Sequence, residues 1–251
     1  MIEVMAAASQ KKPIVVWKGG RASVGASAAG SDAGALATSS TVWSAALRQA
    51  GAIEVQGLDE LADTLLLFQM VGRLERSNLG IICGLTDGGG GEAVLAADAC
   101  AALGVNVIPF TERTRRELLG LLGQVGSVLV NPLDVSQRPG DLQALERAFD
   151  LVAAEPQIDL IVVYENADLL VRFMTKEVAD RVNAVIVGAA RKQSKPVIVV
   201  SPPGSSDAER LDIERRLSEA GIPVFPSMER AARAIANVNQ YYRRTAGLTY
   251  S

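Results

Sequence analysis

A chain of 251 residues that is 49% hydrophobic and 4% aromatic can bury one large core or two smaller ones. Its formal charge of -3 excludes the basic footprint of a nucleic-acid binder, and no run of about twenty apolar residues offers a membrane span. Two cysteines, Cys83 and Cys100, are too few for a disulfide framework or a zinc site, and with no histidine in the chain any proton or phosphoryl chemistry must use other groups.

Residues 1–10 read as the last turns of a helix, which Lys11-Lys12-Pro13 ends, because proline disfavours helix at the residue before it. They are not expected to be a signal peptide: Glu3 stands where basic residues belong, and the apolar run is short. A cytoplasmic protein is expected, with no membrane or nucleic-acid partner. Residues 13–17 are expected to form a buried strand. Residues 18–37 follow, almost all Gly, Ala and Ser, with Lys18 and Arg21 at the entrance. Small residues let backbone approach a ligand or another chain. Their N–H groups can face an anion, to which the two cations add positive charge. The same composition also suits a flexible connector. Thr41 is placed to cap a helix running to Ala50, with Gly51 as its stop. Residues 53–55 read as a short strand. Residues 59–71 read as a helix with Leu61, Leu65 and Phe68 on one face. This first block, residues 1–72, has α/β order but too few elements to close a domain by itself.

After a charged linker, a second block spans residues 78–247. Residues 79–83 are an apolar strand, residues 84–91 a glycine turn, and residues 92–103 a helix closed by Gly104. Residues 105–108 form the second strand. Thr111 caps a helix through Leu122 with Arg113, Arg115 and Arg116 on its solvated side. Residues 131–135 read as a loop. Asp141 starts a helix in which Leu142, Leu145, Phe149 and Val152 share a face. Residues 160–163 are the third strand, and a helical stretch from Asp168 to Gln193 is broken once. Residues 197–200 are the fourth strand, and Ser206 with Glu209 has capping-box spacing for the next helix. Residues 224–225 are the fifth strand, and Ser227 opens the last helix.

Five short apolar strands alternating with helices imply a parallel sheet covered on both faces. The expected architecture is a flavodoxin-like, doubly wound α/β domain preceded by a partial second α/β unit. Ligands in such sheets bind at the carboxyl ends of the strands, which points to the loops at 84–91, 130–135, 165–168 and 202–206.

The order Lys18-Gly19-Gly20-Arg21, Gly25-Ala26, Ala28-Ala29 and Ser31-Asp32-Ala33-Gly34-Ala35-Leu36-Ala37 resembles the phosphohistidine loop of the ADP-forming (NDP-forming) acyl-CoA synthetases, relatives of succinyl-CoA synthetase. In that family the segment reads Lys-x-Gly-Arg, Gly-Ala-x-Ala-Ala, then Ser-His-Thr-Gly-x-Leu-Ala-Gly. Asp32 stands at the histidine position and Ala33 at the threonine. The turn Thr86-Asp87-Gly88-Gly89-Gly90-Gly91 and the motif Asn131-Pro132-Leu133-Asp134 resemble the family's Asn-x-Gly-Gly-x-Gly turn and Asn-Pro-x-Asp motif. The resemblance covers nearly the whole chain. It implies the carboxyl-terminal half of the synthetase α region: part of the phosphohistidine domain at 1–72, then the succinyl-CoA synthetase-like domain at 78–247. It further implies work with CoA-binding and ATP-grasp domains on other chains. No tightly bound cofactor is expected, and CoA and ATP or ADP enter through those partner domains. The family's first domain starts upstream with a further strand, glycine turn and helix. Another chain is expected to supply those parts, or self-association to complete the block, unless the chain is a remnant or a truncated piece.

On this resemblance Lys18, Arg21, Ser31 and Gly34 are candidate phosphate-binding residues, with Asp32 at the catalytic position. Gly88, Gly89, Gly90 and Gly91, feeding a helix N-terminus, are candidates from the second block. The bland alternative is a tight turn whose glycines only shape backbone, and Glu92 in the first helical turn would compete with an anion. Asp32 can be a phosphoacceptor, a fixed mimic of the phosphate charge, or a helix cap, and cap or mimic is preferred because no neighbour is placed to activate it. Asn131 and Asp134 can orient a phosphate or form a turn locked by Pro132. Gly88-x-Gly90-x-x-Ala93 also fits a dinucleotide fingerprint, but the acidic residue it needs at the end of the second strand is missing, since Glu112 falls in the next helix. Three classes of function therefore stand: a ligase component, a non-catalytic binding or assembly module of the same fold, and a dinucleotide-binding protein.

Overall fold

The computed structural model describes residues 1–22, 24–25, 39–74, 76–86, 89–123, 129–205 and 207–248. The chain divides into two units, Met1–Gln69 with Asn237–Ser251, and Met70–Ala236.

In the first unit two three-residue strands, β1 (Val15–Trp17) and β2 (Ile53–Val55), pair in parallel with Val15 opposite Ile53 and Trp17 opposite Val55. Helix α1 (Ile2–Ser9) precedes β1, and α2 (Ser40–Gln49) lies on the connection between the strands. The first strand is not buried: Val15 and Val16 are half-buried and Trp17 is 44% exposed. Among the described residues β2 is its one strand neighbour. Helix α2 starts one residue before Thr41, with Ser39 at the cap position. Ser9 Oγ donates to the carbonyls of Ala6 and Ala50, at 3.0 and 2.6 Å, tying α1 to the end of α2.

Helix α3 (Leu58–Met70) begins near its expected start, but its inner face differs. Leu65 is 48% exposed, and Thr64 and Leu67 are fully buried instead. The face is drawn round by the last helix, where Asn237 Nδ2 donates to Glu60 Oε1 and Thr64 Oγ1, each at 3.0 Å. The small core of this unit is Ile53, Val55 and Tyr241, with Leu61 and Phe68 packed against it. Phe68 and Tyr241 meet edge to face, with centroids 5.6 Å apart.

The second unit is built on a parallel sheet in the order β4-β3-β6-β7-β8. Its strands are β3 (Asn78–Cys83), β4 (Asn106–Val107), β6 (Leu160–Tyr164), β7 (Val197–Val200) and β8 (Val224–Phe225). Numbered from β3, this is the 2-1-3-4-5 order of flavodoxin-like doubly wound folds. The helices are α4 (Gly89–Ala102), α5 (Glu112–Leu122), α6 (Leu142–Ala153), α7 (Ala167–Phe173), α8 (Lys176–Lys192), α9 (Asp207–Glu219) and the start of α10 (Met228–Leu248), which from Asn237 on belongs to the first unit. The central strands are apolar throughout because both faces are covered: Leu160 to Val163 and Val197 to Val200 are all buried. On one face Ile161, Val163, Val197 and Val199 pack against Leu118, Phe149, Val182 and Leu217 of α5, α6, α8 and α9. Helix α6 presses so closely on β3 that a Cβ at Gly80 would stand 2.5 Å from Val152 Cγ1. The expected break in the long helical stretch falls at Met174, where Thr175 accepts from Val178 N and starts α8 afresh.

Residues 131–135 are not a loop. Leu133–Asp134 form a sixth strand, β5, paired in parallel to β3 with Ile82 opposite Leu133 and Cys83 opposite Asp134. β4 and β5 share one edge of β3: β4 holds Asn78 and Leu79, and β5 holds Ile82 and Cys83. The Asn131 side chain fills the gap between them. It accepts from Ile81 N at 3.0 Å and donates to Leu79 O at 2.6 Å and Ile108 O at 2.8 Å. A carboxamide thus supplies the ladder bonds that neither short strand reaches.

Candidate functional site

The carboxyl rim of the second unit's sheet gathers the glycine turn and the Asn-Pro-x-Asp motif in one place. β3 ends at Cys83, and Gly84 turns the chain away with a φ of +77°, a left-handed value that suits glycine. Helix α4 then begins at Gly89, three residues before the expected Glu92. β5 sets Asp134 beside Cys83, and the carboxyl group lies directly beneath the start of α4. A Cβ at Gly89 would be 2.1 Å from Asp134 Oδ1, and one at Gly84 would be 2.4 Å from it. Both glycines are needed for this approach. Asp134 is 3% exposed, and its Oδ1 accepts from Ser136 N at 2.8 Å.

Glu92 sits in the first turn of α4 and accepts from Gly84 N at 2.9 Å through Oε2. Burial pushes its carboxyl up to about 7; the Gly84 N–H opposes the rise and the Asp134 charge adds to it. Burial, Glu92 and Asp134 all push the Cys83 thiol up, and its Sγ lies 3.4 Å from Gly89 O and 3.3 Å from Leu133 O. It is a protonated core thiol and not a nucleophile. Burial pushes the Cys100 thiol up to about 12. The Tyr164 hydroxyl is also raised, by burial first and then by Glu92, Glu229 and Cys83. Two carboxyl groups therefore already stand at the positive end of α4. Gly91, with nothing near its missing side chain, is the exposed side of this turn.

Further along the same rim, β6 and β7 carry a second polar group on the opposite face. Glu165 follows β6 and is fully buried, with Asn183 of α8 and Ser201 beside it, at 4% and 0% exposure. Asn183 Nδ2 donates to Glu165 Oε1 at 3.0 Å. The loop after β7 is joined to the first turn of α7: Ser205 Oγ donates to Asp168 Oδ1 at 3.0 Å, and a Cβ at Gly204 would stand 2.4 Å from Asp168 Cβ. Arg172 pairs with Asp168 at 3.6 Å.

Of the residues singled out from sequence, Gly89, Gly90 and Asp134 come together, with Asp134 Oδ2 3.9 Å from a Cβ at Gly90. Asn131 has its carboxamide committed to three backbone groups of the sheet edge. Lys18 and Arg21 belong to the first unit, where Arg21 pairs with Glu54 at 3.6 Å and hydrogen-bonds Gln56. Ser31, Asp32, Gly34 and Gly88 lie outside the described residues. Glu112 pairs with Arg115 and Arg116 on the surface of α5. Glu165, Asn183 and Tyr164 were not singled out as candidates. Their signal is a polar residue at helical spacing in an apolar stripe, Ala179-Asn183-Ile186, and an acid directly continuing an apolar strand. Among the described residues no helix is long and apolar enough to cross a membrane, and no group of three His, Cys, Asp or Glu side chains could hold a metal ion.

The family described as succinyl-CoA ligase like flavodoxin domain matches residues 1–68. The chain is 31% identical over 235 residues to the acetate–CoA ligase (ADP-forming) I subunit alpha of Pyrococcus furiosus, covering 94% of this chain and 48% of that one. It is 38% identical over 134 residues to the acetate–CoA ligase (ADP-forming) I of Archaeoglobus fulgidus, covering 53% of this chain and 18% of the other. Its fold matches that of the Ca. Korarchaeum cryptofilum dinucleotide-forming acetyl-coenzyme A synthetase 1 in complex with phosphate and ADP. That match has a TM-score of 0.80 and 25% identity, over 99% of this chain and 51% of that one. The chain spans about half the length of the first and third of these relatives and less than a fifth of the second.

Proposed function

The chain belongs to the family of ADP-forming acyl-CoA synthetases, and from that premise we propose that it works in the cytoplasm as one component of an acid–thiol ligase. In this reading CoA-binding and ATP-grasp domains complete the enzyme and bring CoA and ATP or ADP. This chain itself holds no cofactor tightly. The observation that carries the reading is the meeting of Gly84, Gly89 and Asp134 at the head of α4 in a chain that aligns over 94% of its length with a ligase alpha subunit. A helix start bared by glycines is suited to a phosphoryl group arriving from a neighbouring segment.

Asp32 stands where the family has its phosphate-carrying histidine, flanked by Lys18, Arg21, Ser31 and Gly34. Its carboxylate fits best as a fixed negative charge in the place of the transferred phosphate. With no histidine in the chain, phosphoryl carriage through an imidazole is not its task. A second reading, a binding or assembly module that kept the fold and lost the transfer step, is favoured by one observation. Glu92 and Asp134 already occupy the positive end of α4.

The experiment is to incubate the chain with radiolabelled ATP, an organic acid and CoA, with and without CoA-binding and ATP-grasp partner chains. The ligase reading expects thioester and ADP only when all parts are present, and no label retained on the wild-type chain. Label on the chain that is lost in Asp32→Asn would make Asp32 an acceptor. No thioester from the full mixture, together with no label on Asp32→His, would replace the ligase reading with the assembly one.

A further inference from the structure

Side chains alternate along β6, so Tyr164 turns toward α4 while Glu165 turns to the face covered by α6 and α8. There Glu165 has no exposed surface, and Asn183 has 4%. Asn183 Nδ2 donates twice, to Glu165 Oε1 at 3.0 Å and to Ala179 O at 2.9 Å. The second bond fixes which end of the carboxamide is nitrogen, since the flipped group would set two oxygens against each other. The remaining oxygens of the pair, Glu165 Oε2 and Asn183 Oδ1, are both sealed from solvent, and neither receives a hydrogen bond. Two orphaned acceptors in one buried pair are costly, and a bare carboxylate charge there is costlier still. A single proton on the carboxyl group removes both costs.

We infer that Glu165 is a neutral carboxylic acid in the folded protein, donating from Oε2 to Asn183 Oδ1 while accepting from Asn183 Nδ2, and that this reciprocal pair is a pH-sensitive tie between the end of β6 and the middle of α8. The surroundings offer the ionised form little. From α9, Arg216 attracts a charge on Glu165, but it is already paired with Asp180 of α8 at 2.7 Å and Asp212 at 3.2 Å. On α7, Asp168 is engaged by Ser205 and Arg172. On α6, Arg147 pairs with Glu117 and Asp150 with Lys192. The β7 side offers Ser201, whose buried hydroxyl also has no partner, and the β3 side ends in Gly84. Burial, opposed by Asn183 and Arg216, accordingly holds the carboxyl up to about 7. Below that pH the tie is closed. Above it the Oε2–H bond is gone, and only the Asn183 Nδ2–Glu165 Oε1 bond is left to hold the end of β6, just ahead of α7, to α8.

The sign follows from linkage. A carboxyl group raised in the folded state binds more protons there than in the unfolded chain, so its contribution falls as pH rises from about 4.5 through about 7. The experiment is an infrared titration of the protein in a Glu92→Gln background, since Glu92 ionises in the same range, combined with urea unfolding from pH 5 to pH 9. A protonated-carboxyl C=O band is expected at pH 6, fading through pH 7 and absent from the Glu165→Gln variant. That variant keeps the pair, because its Nε2 can donate to Asn183 Oδ1, so its urea midpoint should stay level where the parent's declines. A parent spectrum without such a band at pH 6 would overturn the inference whether or not the variant folds. So would a Glu165→Gln midpoint that declines as steeply as the parent's.

Discussion

Glu92 and Glu165 end up at the same carboxyl rim, each pushed to about 7 chiefly by burial, yet the two are built on opposite principles. Glu92 meets a backbone donor at the positive end of a helix, beside a second carboxyl group and an exposed glycine. Its surroundings offer negative charge one backbone donor, Gly84 N, which burial and the Asp134 charge outweigh. Glu165 has no exposed surface and faces one carboxamide that needs a proton as much as it does. Its surroundings refuse charge. A similar tendency to hold a proton thus marks a carboxyl group at a helix head in one case and a structural tie in the other, and only the identity of the donors tells them apart.

Three substitutions test that contrast, in order of falling effect. Gly89→Ala drives a methyl group to 2.1 Å from Asp134 Oδ1 and 2.8 Å from Gly84 Cα. Gly84 Cα is backbone, and the buried Asp134 carboxyl is held by Ser136 N, so a loss of about 3 kcal/mol is expected in urea unfolding. A loss below about 1 kcal/mol would mean that the head of α4 is not closed over Asp134. Glu92→Gln keeps an oxygen for Gly84 N and removes the charge beside Asp134. The wild type should lose more stability than the variant as pH rises from about 4.5 through about 7, because the variant keeps only the Glu165 contribution to that fall. At pH 8 the variant should be more stable by about 1.5 kcal/mol, a figure reduced because the group is partly solvated. A variant less stable than wild type at pH 8 would show that the site favours the ionised acid. Arg172→Ala removes the exposed partner of Asp168 at 3.6 Å but leaves the Ser205 bond. A change below about 0.5 kcal/mol is expected from thermal unfolding. A larger drop would show that the loop after β6 depends on this ion pair.

The α/β order of the second unit was legible because its strands are short apolar runs separated by capped helices, and Thr111 and Asp141 cap where their spacing says they should. What escaped had physical causes. β5 is two residues long and follows a proline, so no periodicity announces it, and its paired residues on β3, Ile82 and Cys83, lie far back along the chain. Leu65 fits an apolar stripe on α3, but the inner face is chosen by Asn237, which lies far along the chain. Trp17 looks like a core residue in a strand, yet it is 44% exposed in a strand paired to β2 alone among the described residues. At the rim, Gly89 and Asp134 were readable as separate motifs, while their contact was not. The pairing of Glu165 with Asn183 joins a strand end to a helix middle, and no local pattern reports it.

The Asn131 carboxamide also works as an index mark for the chain. If β5 slid by one position along β3, Asp134 would rotate to the side now held by Leu133, and a carboxylate would be thrust among aliphatic groups. Three bonds from one amide, to Leu79, Ile81 and Ile108, are satisfied in one alignment and broken in the neighbouring ones. A strand of only two residues, as short as β4 and β8, thereby has its offset dictated by a side chain, and the aim of Asp134 at the head of α4 is inherited from it.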